Sequence, residues 1–189
     1  MKIIVEVLKK YKVILIAGIL SALAVLSFVL MFSQSKESET VAKAGSQIDE
    51  MSQNIIKEYK MRPNYWGLST AEVINKKLYA KGMGIKDGKL IGYFVGRVEI
   101  GADENGASVM PGSKNFVISY NELSKKQCIG LGGYKYDKKF WLNVSKIVIK
   151  NTKYQQDFVW GDEKYGLIPN KKVLKEICDS EDNKVLVYF

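Results

Sequence analysis

The order of apolar and polar positions divides this chain before any other property is considered. Residues 1–12 are studded with Lys2, Lys9, Lys10 and Lys12 against a single acid, Glu6. Val13 to Phe32 then reads VILIAGILSALAVLSFVLMF, with no charge and no proline. At about 1.5 Å of rise per residue such a helix is roughly 30 Å long, the thickness of a bilayer's hydrocarbon core. A core helix of a soluble domain would carry a polar stripe, and here only Ser21 and Ser27 interrupt the apolar surface. The pattern predicts a transmembrane helix over 13–32. Its small residues, Ala17, Gly18, Ser21, Ala22 and Ala24, permit close helix-to-helix approach.

Behind this run the apolar positions become periodic. Val41, Ala44, Ile48, Met51 and Ile55, followed by Ile56 and Tyr59, recur at intervals of three and four, which is one stripe of a helix. Lys43, Gln47, Asp49, Glu50, Gln53, Lys57 and Glu58 fall between them and are expected to face water. No proline precedes Pro63, so residues 33–62 read as an amphipathic continuation of the membrane helix that Pro63 stops. The stripe is expected to dock on the chain's own globular part; a dimeric coiled-coil stalk is the alternative.

Residues 63–189 form the predicted globular head. Ser69 with Glu72 makes a capping box, and Leu68 with Val73 a hydrophobic staple, for a helix running to about Ala80 with Gly82 as its C-cap. Turns are expected at Gly84, Asp87 and Gly88. Leu90 to Ile100 alternates like one strand, with a bulge or bend near Gly96, and Phe116 to Tyr120 is the next strand. Asn121-Glu122-Leu123-Ser124 starts a short helix carrying Cys128. Strands follow over Phe140–Lys150 and Gln156–Trp160, then a helix over Lys171–Cys178 introduced by Pro169-Asn170, and a last strand over Val185–Phe189. Short connections between such strands imply an α+β fold, an antiparallel sheet with helices on one face.

Charge orients and limits this picture. Lysines precede the apolar run, whereas Lys36 behind it is accompanied by Glu37 and Glu39. The positive-inside rule therefore keeps the N-terminus in the cytoplasm and exports the head. The run exceeds the apolar core of a secretory signal, and SQSKES after it lacks a small-x-small cleavage site, so retention in the membrane is expected. Lys and Arg number 29 against 20 Asp and Glu, for a formal charge of +9. Nearly all the basic residues are lysines with no compact arginine and aromatic patch, so a solvated surface is the simpler reading, and no groove or stacking surface for nucleic acid can be named. Histidine is absent, which removes the usual general base, the Ser-His and Cys-His pairs and the commonest zinc ligand. No enzyme, cofactor or metal is expected. Asp162-Glu163 near Trp160 reads as a pair of solvated turn acids, and the Asn143-Val144-Ser145 triplet as chance.

Cys128 and Cys178 are the chain's two cysteines. In an exported domain they are most simply a disulfide; two buried free thiols or a redox pair are the alternatives, the latter lacking CxxC spacing. Lying on two short helices, the bond would staple peripheral segments across the sheet edge.

Taken in order, these segments resemble a family, the type IVb pilins, and among them the conjugative-plasmid type with a domain named for PilS. The resemblance lies in the apolar-then-amphipathic first helix, in Tyr65-Trp66-Gly67-Leu68-Ser69-Thr70-Ala71-Glu72-Val73-Ile74 as the second helix, and in the strand over Leu90 to Gly101. It continues in Asn115 to Leu123 with Lys126-Gln127-Cys128-Ile129-Gly130-Leu131, and in Val173 to Cys178 with the strand after it. It implies a non-enzymatic subunit or accessory of a type IV pilus, pseudopilus or conjugation apparatus. Its partners would be copies of itself, other pilin subunits, the inner-membrane assembly machinery and the bilayer. The alternative is a bitopic membrane protein whose exported domain binds a ligand or partner and never polymerises. At the front the sequence departs from the family: pilins of this kind are cut after a glycine and carry a glutamate at the fifth mature position. Gly18 is the only glycine in that region, and Leu23 stands five residues after it. Neither processing site nor registry glutamate is carried over to any residue.

Overall fold

A computed structural model of the chain describes residues 21, 23, 25–27, 38–94, 96–136, 144–159 and 169–189. Two compact units emerge, residues 1–39 and 40–189. In the first, Ser21, Leu23 and Val25–Ser27 are helical, and the Ser27 hydroxyl donates to the Leu23 carbonyl at 2.8 Å. Leu23, Val25 and Leu26 are each more than half exposed. The rest of the predicted transmembrane stretch lies outside the described residues, as does the join at 28–37, and among the described residues no helix is long and apolar enough to cross a membrane.

The second unit is a seven-stranded, wholly antiparallel sheet with helices on one face. Its strands are β1 (Gly84–Lys86), β2 (Lys89–Ile91), β3 (Arg97–Gly101), β4 (Val117–Leu123), β5 (Lys146–Lys150), β6 (Gln155–Val159) and β7 (Asn183–Tyr188). They lie in the order β1-β2-β3-β4-β7-β5-β6, so the strand made last sits between two made earlier. Alternation fixes which side chains reach the core. Leu90, Val98, Tyr120, Val185 and Ile149 form one cross-strand row, and Ile100, Ile118, Val187, Ile147 and Phe158 a second; all ten are buried. The opposite face carries a small cluster of Val117, Val148 and Leu186, flanked by Tyr188.

Among the described residues, four helices cover the inner face. The first, α1, spans residues 38–59 and ends before Pro63, whose ring disfavours helical backbone at Arg62. The second, α2 (Thr70–Asn75), starts as the capping box requires, with the Ser69 hydroxyl accepting from the Glu72 amide. It stops well short of Ala80. Lys77 takes a left-handed conformation (φ 55°), its amide donates to Ile74, and the Leu78 amide donates to Val73 at 2.9 Å. This paired pattern ends the helix by a Schellman motif with lysine where glycine is usual. Gly82 (φ 82°) belongs instead to the turn in which the Met83 amide meets the Ala80 carbonyl.

Two other boundaries differ from the sequence expectation. The phase change near Gly96 is a chain reversal and not a bulge: β2 and β3 are antiparallel neighbours, with Leu90 opposite Val98 and the Gly92 amide donating to Gly96. Asn121–Leu123 continues β4 through a register shift, with Glu122 at φ 60°, and the helix α3 (Lys125–Gly132) begins only after its N-cap, Ser124. Ser124 and Gln127 form a reciprocal capping box there. The last helix, α4 (Lys171–Ile177), is capped by Asn170, which accepts from the amides of Lys172 and Val173. Asp87-Gly88 closes the β1–β2 hairpin as expected. The residues read as strand over 140–143, Trp160, the Asp162-Glu163 pair and Asn143 lie outside the described residues.

Candidate assembly site

The residues singled out by sequence meet on the helical face. Cys128 on α3 and Cys178 at the end of α4 are disulfide-bonded with their Cα atoms 5.8 Å apart, and both are fully buried. The bond does not cross a sheet edge. Its helix α3 lies over the central strands: a Cβ on Gly132 would fall 2.6 Å from the Ile149 side chain and 3.0 Å from that of Leu174. The staple thus joins two helices above the middle of the sheet, Cys128 sharing the buried face of α3 with Leu131 and Cys178 that of α4 with Leu174.

α1 lies on the same face, and its inward stripe is the predicted one. Ala44, Ile48, Met51 and Ile55 are wholly buried and Tyr59 nearly so, so the stripe docks on the chain's own head and is not free to pair as a coiled coil. Two contacts bring α1 against α3. Gly45 lies so close to Tyr134 that an added Cβ would stand 2.5 Å from its ring, and one on Gly130 would stand 2.3 Å from Val41. Gly45, which weakens a helix in isolation, is required here by packing.

The buried arc of α1 is wider than its apolar stripe. Gln47 and Asp49, expected to face water, are only 4 % and 3 % exposed. The Gln47 Oε1 accepts from the Tyr120 hydroxyl and from the Tyr93 amide, both at 2.9 Å, and the Tyr134 hydroxyl donates to Asp49 Oδ2 at 3.1 Å. Spacing held a signal for Gln47, which stands three residues after Ala44 and four before Met51. What periodicity cannot reveal is that tyrosine hydroxyls wait on the sheet and on the stretch after α3. Burial raises the pKa of all three tyrosines in this layer. Tyr134 is pushed up to about 12 by desolvation and then by the negative Asp49, and Tyr120 and Tyr136 are raised as well, also chiefly through burial. The polar groups of the helix-sheet layer are thus committed to fixing the register of α1. From residue 40 onward the helix leaves only Ala42, Lys43, Ser46, Glu50, Gln53, Lys57 and Glu58 exposed to solvent.

On the opposite flank a polar hollow of about 440 Å³ opens at the ends of β5 and β7, with Lys150, Lys153 and Lys184 set against Glu104 and Asp182. Lys150 is ion-paired with Glu104. Among the described residues no three histidine, cysteine or acidic side chains gather where they could hold a metal ion.

A helix laid along an antiparallel sheet has counterparts among solved structures. The chain is similar to the type IVb pilin from Salmonella typhi, with 17 % identity and a TM-score of 0.52 over 77 % of this chain and 97 % of that one. The head has the type IV pilin fold. TcpA, a type IV pilin from Vibrio cholerae El Tor, is also similar, at 15 % identity and a TM-score of 0.50 over 80 % of this chain and 99 % of that one. No protein-family model matches the sequence, and no curated protein matches it. At such identities the likeness lies in the path of the backbone, and the residues inside this pilin fold are the chain's own.

Proposed function

We propose that this chain is a non-enzymatic, membrane-anchored subunit or accessory of a type IV pilus, pseudopilus or conjugation apparatus. The observation that carries the reading is α1: a helix seated on a pilin-type sheet through residues 44–59, in a chain whose preceding residues, Val13 to Phe32, have the length and composition of a transmembrane segment. The N-terminus faces the cytoplasm, the segment spans the inner membrane once, and the head lies in the periplasm or outside the cell. The membrane segment stores the subunit; on extraction it packs helix against helix with other subunits while the heads make surface contacts. Assembly machinery in the inner membrane is the partner this requires.

The deciding experiment is mass spectrometry of the mature N-terminus after co-expression with a prepilin peptidase, together with sedimentation of sheared cell-surface material. A shortened N-terminus and sedimenting fibres containing this chain support the subunit. An intact N-terminus with no fibre favours a bitopic protein whose exported head engages a partner without polymerising. One observation supports that second reading: the residue five places after Gly18 is Leu23 and not an acid.

A further inference from the structure

The three most exposed large apolar side chains of the described head lie on two neighbouring loops. Met61 is 93 % exposed, Met110 70 % and Trp66 63 %. The loops that carry them, residues 60–68 after α1 and 108–114 before β4, are laced together. The Tyr65 amide donates to Ser113, the Gly67 amide to Val109, and the Val109 amide to Leu68. Pro63 and Pro111 stiffen both, and the Trp66 amide is held by Asn64 Oδ1 at 3.1 Å. Beneath them runs a row of rings, Tyr59 to Tyr65 to Phe116 to Phe189, with successive centroids 5.6, 4.7 and 5.1 Å apart. The apolar tips therefore stand on a preorganised base, and ordering them on contact costs little.

Their electrostatic setting is one-sided. Residues 60–68 and 108–115 contain Lys60, Arg62 and Lys114 and no acid. The carboxylates nearest along the chain are already occupied, Glu58 and Glu72 by Lys76 and Glu104 by Lys150. Arg62 lies over the Tyr59 ring, its guanidinium carbon 4.7 Å from the centroid, and forms no salt bridge among the described residues. A tryptophan and two methionines standing clear of the surface among a local excess of cations have the make-up of an interfacial membrane contact, apolar tips entering the acyl boundary while cations meet anionic headgroups. A second copy of the chain fits less well. Of the head's other exposed large apolar residues, Ile85, Tyr93 and Tyr154 stand beside Lys86, Lys43 and Lys153, and Val159 lies opposite Lys146, so like charges would meet.

We infer that the loop pair carrying Met61, Trp66 and Met110 is a docking site for an anionic lipid surface. The site does not depend on whether the chain polymerises. The test uses the full chain held in phosphatidylcholine nanodiscs and mixed with sucrose-loaded vesicles of phosphatidylglycerol and phosphatidylcholine, bound nanodiscs being pelleted. Lys2, Lys9, Lys10 and Lys12 would also attract such vesicles, so all proteins compared carry serine at these four positions. Nanodiscs should pellet with the anionic vesicles, not with pure phosphatidylcholine, and less as salt rises. Trp66→Ala should weaken pelleting roughly tenfold, and Arg62→Ser and Lys114→Ser roughly fivefold each. Tyr154→Ser, equally exposed but elsewhere, should leave it unchanged. Trp66, Lys114 and Tyr154 lie in solvent, so their variants should keep the wild-type melting temperature, which is measured alongside; Arg62→Ser also gives up the contact with the Tyr59 ring and is compared at a temperature where it is fully folded. Pelleting that ignores Trp66 and Arg62, or falls equally with Tyr154→Ser, overturns the inference. So does Trp66-dependent sedimentation without vesicles, which would assign the patch to contacts between copies, or capture by an acidic polypeptide while anionic vesicles fail.

Discussion

Two flanks of one sheet are held in opposite ways. Over its middle, α3 and α4 are capped by Ser124 with Gln127 and by Asn170, packed through Leu131 and Leu174, and joined by the buried Cys128–Cys178 bond. At the far edge, β1 is a three-residue strand exposed along its length, and the loop after β2 reaches α1 through the Tyr93 amide on Gln47. The first flank is closed by a covalent bond within a continuous core. The second rests on Leu90, the partly edge-on packing of Phe94 against Tyr120, the buried Met83 and a few hydrogen bonds, with no covalent tie. Local opening follows burial and hydrogen bonding, so the hairpin should exchange its amides far sooner than the cysteine-bounded half.

The contrast breaks most sharply at the disulfide. Replacing both cysteines by serine removes a cross-link over a sequence separation of 50, and should cost about 4 kcal/mol in the loop-entropy account, read as a lower melting temperature and a mobility shift on non-reducing gels. Protection of the central strands should fall with it. Next in size, Gln47→Leu keeps the helix but removes the acceptor of the Tyr120 hydroxyl and the Tyr93 amide; about 2 kcal/mol is expected. Hydrogen exchange should rise first at residues 84–96, and a uniform rise across the sheet would refute the division. The tyrosines give a third, pH-dependent handle. Their neutral forms are favoured by the fold and their pKa values are raised, so the stability they contribute is complete below pH 10, the ordinary tyrosine value, and is lost as pH climbs through the folded values. For Tyr134 that window runs from 10 to about 12. Alkaline unfolding followed by circular dichroism should begin there and coincide with tyrosinate absorbance. The smallest effect belongs to Gly88, at φ 72° in the hairpin turn: Gly88→Val should cost about 1 kcal/mol, confined to β1 and β2, with the disulfide half unmoved.

How far these features were legible depended on whether they were local. The α1 stripe, the Ser69 cap, the start of α4 at Asn170 and the Asp87-Gly88 turn are written within a few residues, and periodicity or side-chain chemistry dictates them. The cysteine pair was legible from composition and from the export that the charge pattern predicts, but not its place above the central strands, since that follows from strand order. Lys77 misled because a left-handed lysine is stabilised by the bonds around it and carries no signature of its own. The hairpin over Leu90–Ile100 read as one strand because Gly92 and Gly96 look alike whether a chain bends or reverses. Gln47 and Asp49 turned inward for partners far along the chain, Tyr120 and Tyr134. The apolar run over 13–32 is the reverse case: its sequence signal is strong, and the proposed function rests on it.

The place of β7 carries a kinetic consequence. β4 and β5 share no ladder with each other; each is bonded to β7, which follows all the other strands in the chain. Until β7 is present, the chain holds a four-stranded meander and a separate hairpin, each with an unpaired edge. Such edges recruit strands from other molecules, and pairings between distant segments are slow to close. A head delivered across a membrane from its N-terminal side would therefore emerge almost entirely before it could fold, and would need shielding until its last strand bridged the two halves.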